Sequence, residues 1–383
     1  MKLTRLGHLS LDQFFAEYWQ KKPLLIRQAL PDWQSPLSPD ELAGLAMEPE
    51  VESRIVLEQH NAKPWQLRHG PFTESDFQTL PENGWTLLVQ AVDHWVPEVT
   101  ALLDQFRFIP NWRLDDIMVS YAPDGASVGP HFDQYDVFLI QGTGTRRWHL
   151  GQHCDEQTER LADTPLNILA DFKTAETYDL EPGDLLYVPP GVAHWGIAIG
   201  EAMTYSVGFR APSARELLDD YVAEICTRLT EDQRFTDAAQ PSERAGHIDA
   251  VTLARVRQLM LEAFEQPEML GRWFGQYMTA KKYALDEEPG LREPSDDELE
   301  EAALVLSTGP VLYQAPDSRF AYIDGALFVN GEQFDCPMGL ASALCDNLEI
   351  AHWAEQVTNE QQHRLVARLV ALEWLWTEDP RQP

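Results

Sequence analysis

The chain has 383 residues, 44% of them hydrophobic and 24% charged, with a formal net charge of −33 at neutral pH. That balance describes a globular protein of two or three domains with ample core, and it excludes a disordered chain. Such acidity disfavours independent binding to nucleic acid or an anionic membrane and favours a basic partner, though it serves solubility equally well.

No stretch reaches the ~18 apolar residues of a membrane-spanning helix, and Met1 to His8 leads into no long apolar run of a signal peptide. Cys154, Cys226, Cys336 and Cys345 are scattered without C-x-x-C spacing. Neither a disulfide framework nor a zinc ribbon is suggested, and a reducing cytoplasm fits.

Ser10 opens a short amphipathic helix, with Gln13 placed to complete a capping box. Lys21 to Arg27 reads as a turn into a strand. Ser38-Pro-Asp-Glu-Leu is a second helix start. Thr86 to Val92 is strand-like, Pro97 to Phe106 helical, and Asp116 to Tyr121 a strand. From about residue 85 to 210 the predicted strands are short and punctuated by Pro and Gly turns, a jelly-roll rhythm. From Ser213 to about Lys282 the pattern is helical; Val251, Leu253, Val256, Leu259, Met260, Ala263 and Phe264 recur at helical spacing, as in a core or a helix–helix interface. Asp286 to Ser295 is a linker by composition. Ser295 then caps an acid-rich helix start. Phe320–Ile323 and Ala326–Val329 flank Asp324-Gly325, a hairpin signal. Helices are expected from Pro337 to Trp376. Helix, hairpin and helices together suggest a winged helix. Over 296–383 acids outnumber bases 16 to 4, the wrong sign for a DNA reader, so this part is expected to contact protein or cap the fold.

The stretch that organises the chain is VGPHFDQYDVFLIQGTG, residues 128–144. On an extended strand, residues i and i+2 share a face, so His131 and Asp133 can grip one ion while Phe132 packs behind them. Alone, a His-x-Asp pair is more often two ordinary polar side chains. Here it precedes the strand-like Val137–Ile140 and then Gly142-Thr-Gly-Thr-Arg-Arg-Trp-His-Leu, read as a turn plus a strand. Further on, Pro182-Gly183 signals a type II turn, and Asp184 to Val188 a buried strand leading to His194. His194 is the expected third ligand. Two imidazoles and one carboxylate form the facial triad of non-haem Fe(II) oxygenases, which leaves three coordination positions open.

With QGTGTRRW, EPGDLLYVPPG and YSVGFRAP around HFD…H, and Tyr-Trp…Lys-Pro-Leu-Leu-Ile near the start, the chain resembles the JmjC-type ribosomal oxygenases, in particular their bacterial arginyl hydroxylase branch. The resemblance covers most of the chain. It implies an α+β fold: a double-stranded β-helix catalytic domain (1–212), a helical dimerisation domain (213–290) and a winged-helix-like C-terminal domain (291–383). It also implies a cytoplasmic homodimer without direct nucleic-acid or membrane binding. The implied reaction is Fe(II)- and O2-dependent hydroxylation of an arginine of large-subunit ribosomal protein sixteen, with 2-oxoglutarate decarboxylated to succinate. The cosubstrate needs a cation for its far carboxylate. Alternation places one of Arg146 and Arg147 inward; the resemblance selects Arg146, with Ser120 as a hydroxyl donor to the same carboxylate. Asp124 is a candidate for a substrate guanidinium, against an ordinary solvated loop acid, and Tyr135 a candidate for the mouth. Two other classes remain open. A cupin-like metal enzyme without a keto acid usually offers His-x-His rather than His-x-Asp. A non-enzymatic acidic scaffold would not need the triad. Within the JmjC group, hydroxylation and N-methyl demethylation share the same iron chemistry.

Overall fold

The structure, a computed structural model, describes residues 2–30, 33–58, 65–236, 244, 246–265, 267–282, 292–347 and 349–382. Most of the expected linker, residues 286–291, lies outside them.

The first helices form where capping chemistry starts them. In α1 (Leu11–Glu17) and α2 (Pro39–Leu45), Ser10 and Ser38 each accept from the third helical N–H, while Gln13 and Glu41 reach back to the cap N–H. Such a cap stabilises a helix by about 1 kcal/mol. Helix α3 (Pro97–Leu103) carries proline in its first turn, where no N–H is lost.

A nine-stranded antiparallel sheet forms the jelly roll. Its strands are β1 (Leu24–Ile26), β2 (Ser53–Leu57), β3 (Gln66–His69), β4 (Trp85–Val89), β5 (Leu114–Ala122), β6 (Val137–His153), β7 (Glu176–Leu180), β8 (Leu185–Val188) and β9 (Val192–Phe209). The order is β1-β8-β6-β9-β5-β4-β2-β3, with β7 on β6. The sheet therefore recruits three strands from before residue 85, outside the expected span. No chain reversal occurs at Gly142-Thr-Gly; β6 runs through it. The signal there marks a bend: Gly144 has φ +64°, and the β6–β9 register shifts opposite it, between Ile199 and Thr204. Turn residues and strand-bend residues are the same residues, because both need φ > 0 or close backbone approach. The main core lies inside this sheet, around Phe14, Phe106, Phe138, Tyr187 and Tyr205.

Beyond it, α4 (Ala214–Arg228), α5 (Ala250–Phe264) and α6 (Pro267–Thr279) answer the helical expectation, although 229–236 is not helical. Tyr221 and Ile225 of α4 bury against Met269 and Trp273 of α6. Helix α5 buries no residue. Helix α7 (Asp296–Leu306), capped by Ser295, is followed by a three-stranded meander, which packs on α6, and by two further helices, the second of which packs on α7. The meander is β10 (Phe320–Ile323), β11 (Ala326–Val329) and β12 (Glu332–Asp335); the helices are α8 (Met338–Asp346) and α9 (Glu360–Ala371). Their core includes Leu327, Val329, Leu340, Leu344 and Val366. The expected run of helices to Trp376 is interrupted at its end, where Leu375–Trp376 pairs as a strand with Tyr313–Gln314.

Candidate active site

His131 and His194 face each other across the mouth of the barrel. Each backbone N–H donates to the other's carbonyl, at 3.1 and 2.8 Å, although the residues are far apart in sequence. The ring centroids lie 4.3 Å apart. Nδ1 of His131 sits 2.9 Å from the Gly129 carbonyl, and Nδ1 of His194 3.0 Å from the Val192 carbonyl. A carbonyl can only accept, so both Nδ1 atoms carry the proton and both Nε2 atoms are left as free lone pairs. The Asp133 carboxylate lies 3.7 Å from His194 Nε2. One ligand atom from each of the three falls within 4.8 Å of the others. Burial and the neighbouring His131 push His194 down to about 4, so it stays neutral and able to ligate at neutral pH. Between His131 and Asp133 in the chain, Phe132 packs with Cys154, Leu169 and Ala193.

Behind this trio, β6 alternates. Arg146 points inward and is 5% exposed, whereas Arg147 points outward and holds Asp179 of β7 bidentately at 2.7 and 2.8 Å. Arg146 Nη1 donates to Ser120 Oγ at 3.2 Å. Its Nε and Nη2 are buried without a partner among the described residues. Leaving such donors unmet costs roughly 1–3 kcal/mol each, and the two N–H groups are free to meet an acceptor in the cavity. Burial lowers the Arg146 guanidinium to about 10, and it remains a cation at neutral pH.

A cavity of about 870 Å³ joins the two features and opens towards α4 and α6. Tyr135 lines it, and its phenol is pushed far up by the Asp133 carboxylate beside it. Asp124 does not line it: its Oδ1 accepts from the Gly200 N–H at 2.7 Å in the outer bend. Of the acids that line it (Asp115, Asp116, Asp133, Glu216 and Asp220), Asp116 is 2% exposed, its two oxygens accepting from Gln90 at 3.1 and 3.0 Å. Sequence reasoning missed it. The signal was available: Asp116, Met118 and Ser120 are i, i+2 and i+4 on β5, so placing Ser120 inside places Asp116 there too.

Comparisons with known proteins bear on this arrangement. Residues 101–217 match the JmjC domain family and residues 220–376 the ROXA-like winged helix. The Escherichia coli ribosomal protein uL16 3-hydroxylase is 40% identical over 351 residues, spanning 89% of this chain and 90% of its own. The X-ray structure of E. coli ycfD superposes with a TM-score of 0.86 at 37% identity, covering 98% of this chain and all of that one. A structure of YcfD in complex with cobalt and 2-oxoglutarate gives a TM-score of 0.82 at 36% identity, covering 97% of this chain and 99% of that one. Fold and matches define the class: a JmjC-domain oxygenase. Within that class, the chain belongs to the ribosomal oxygenases that carry a ROXA-like winged helix.

Proposed function

We propose that this chain is an Fe(II)- and 2-oxoglutarate-dependent hydroxylase acting on an arginine side chain of ribosomal protein uL16 in the cytoplasm. Among the described residues no helix is long and apolar enough to cross a membrane. The observation that carries the reading is the pairing of two sites in one cavity: a trio with both imidazole Nε2 atoms free, and a buried guanidinium with two unmet donors. His131, Asp133 and His194 fit a divalent iron that must keep open positions. Arg146 and Ser120 fit the far carboxylate of a dicarboxylic keto acid, because a guanidinium meets a carboxylate through paired N–H groups. Bound there, iron and keto acid supply the oxidising power that inserts one atom of O2 into a substrate C–H bond.

The chain's own residues do the rest. The two Nδ1–H···carbonyl bonds lock the imidazole tautomers and hold the rings in place. Tyr135 donates towards Asp133 and orients it. Asp116 presents a buried carboxylate to the cavity, the counter-charge a substrate guanidinium needs in a low-dielectric site. Apolar walls such as Leu139 and Trp148 keep water from the reacting centre.

Residues 1–212, 213–290 and 291–383 serve on this reading as catalytic, dimerising and winged-helix units. The exposed apolar face of α5 is the dimer contact, and a wild-type chain that sediments as a monomer at micromolar concentration excludes that part. The decisive experiment for the reaction is mass spectrometry of ribosomal proteins from cells with and without the gene. A gain of ~16 Da, one oxygen, on an arginine of uL16 is expected only with the gene; identical spectra reject the proposal.

A further inference from the structure

The acid assigned above to the substrate sits on a strand whose first half is poorly held by the sheet. β5 pairs with β4 only over Val119–Tyr121. On its other side, the pairing with β9 breaks register between Val207 and Phe209, opposite the beginning of the strand. The ladder resumes at Leu114 opposite Phe209, so residues 115 and 116 are the ones left without a ladder partner.

A side chain from the winged helix fills that gap. Arg319, the residue before β10, is 13% exposed. Its Nη1 donates to the Leu114 carbonyl at 2.6 Å, and its Nη2 to the Asp115 carbonyl at 2.9 Å and the Asp115 carboxylate at 2.8 Å. Two more cations converge on the same carboxylate. Lys282, just past α6, reaches its other oxygen at 2.6 Å, and Arg210, just past β9, stands 3.4 Å away. Arg210 is itself fixed by the Met278 and Ala280 carbonyls at 2.8 and 2.7 Å. These cations hold the Asp115 carboxyl below its usual range despite burial. Asp115 and Asp116 are consecutive on β5 and both border the cavity, so a force on one is passed to the other through a single peptide unit.

We propose that Arg319 is a positioning residue for the substrate site, through which the winged-helix domain sets the place of Asp116. This deepens the reading that Asp116 meets the substrate guanidinium and rests on it. The winged helix is then part of the catalytic unit, and its task is to fix the strand that receives the basic side chain.

The test compares full-length wild type, Arg319→Met and Arg319→Lys. Each is assayed for kcat and KM with a uL16-derived arginine peptide, and separately for 2-oxoglutarate binding to the Mn(II)-loaded protein. Arg319→Met is expected to raise the peptide KM by about tenfold while 2-oxoglutarate binding stays within about twofold, with Arg319→Lys between the two. An unchanged peptide KM overturns the proposal. So does a parallel loss of 2-oxoglutarate binding, because Arg319 then merely holds the barrel together. If Arg319→Met does not fold, Asp115→Asn is expected to give the same split, and its failure to do so overturns the proposal equally. A wild type that oxidises no arginine peptide refutes the functional reading instead; a working wild type with indifferent variants refutes only this inference.

Discussion

At Arg146 the decision between two adjacent, chemically identical side chains is made by what each one faces. Arg147 has a partly exposed carboxylate partner and is half exposed itself; pairs of that kind contribute little, because water screens both charges. Arg146 has one hydroxyl, two unmet donors and no carboxylate partner among the described residues. The two therefore respond differently to substitution. Arg146→Met is expected to weaken 2-oxoglutarate binding on the order of a hundredfold, the loss of a charge-assisted double hydrogen bond in a dry site. Arg147→Ala is expected to leave that binding within about twofold. Calorimetric titration of the Mn(II)-loaded protein measures both, and equal effects from the two would reject the assignment. This pair also shows where sequence reading ends at the residue scale. Alternation determined that one arginine faces inward but not which, because the phase of β6 depends on pairing with β7 and β9. The His131, Asp133 and His194 trio was legible because its local part obeys the two-residue period and its distant part lies in a marked turn-rich motif.

The strands that build the site bend, and their bends are placed by glycine. At Gly144 a Cβ would lie 1.8 Å from the Glu201 carbonyl oxygen, a backbone atom that cannot swing away, and φ is already +64°. Any side chain must open the β6–β9 corner two residues before Arg146. Gly144→Ala is expected to destabilise the protein by about 3 kcal/mol or more, through clash plus left-handed strain. It should also weaken 2-oxoglutarate binding, since Arg146 moves with the corner. A urea midpoint within error of wild type would show that the corner is slack. Elements with local signals were readable: the serine caps at residues 10 and 295, the helix start at Ser213 and the hairpin at Asp324-Gly325 all formed as expected. Two misses have different causes. β12 was announced by Asn330-Gly331, both at positive φ as a tight hairpin demands, and the signal went unread. β2 carried no such mark: Ser53–Leu57 finds its partners in Gln66–His69 and the distant Trp85–Val89, and only that packing makes it a strand.

On the whole molecule, one surface is out of keeping with the rest. The chain is strongly acidic, yet α5 turns Leu253 and Met260, each 58% exposed, together with Val256 towards solvent. These residues stand at i, i+3 and i+7, one continuous stripe, and the helix has no buried residue of its own. Burying an exposed Leu or Met side chain contributes about 1.5–3 kcal/mol, and a contiguous apolar stripe on an otherwise charged protein marks an association surface. With two copies related by a two-fold axis, the same stripe can cover itself, so the contact needs no second patch. The catalytic trio, Arg146 and Asp116 all come from one chain, so separating the copies should spare the chemistry. The double substitution Leu253→Glu with Met260→Glu puts like charges face to face across such a contact. It is expected to convert a dimeric wild type into a monomer in sedimentation velocity while kcat per chain stays within about twofold. Sedimentation of the double variant as a dimer would place the contact elsewhere, and a loss of kcat on dissociation would mean that the partner copy completes the site.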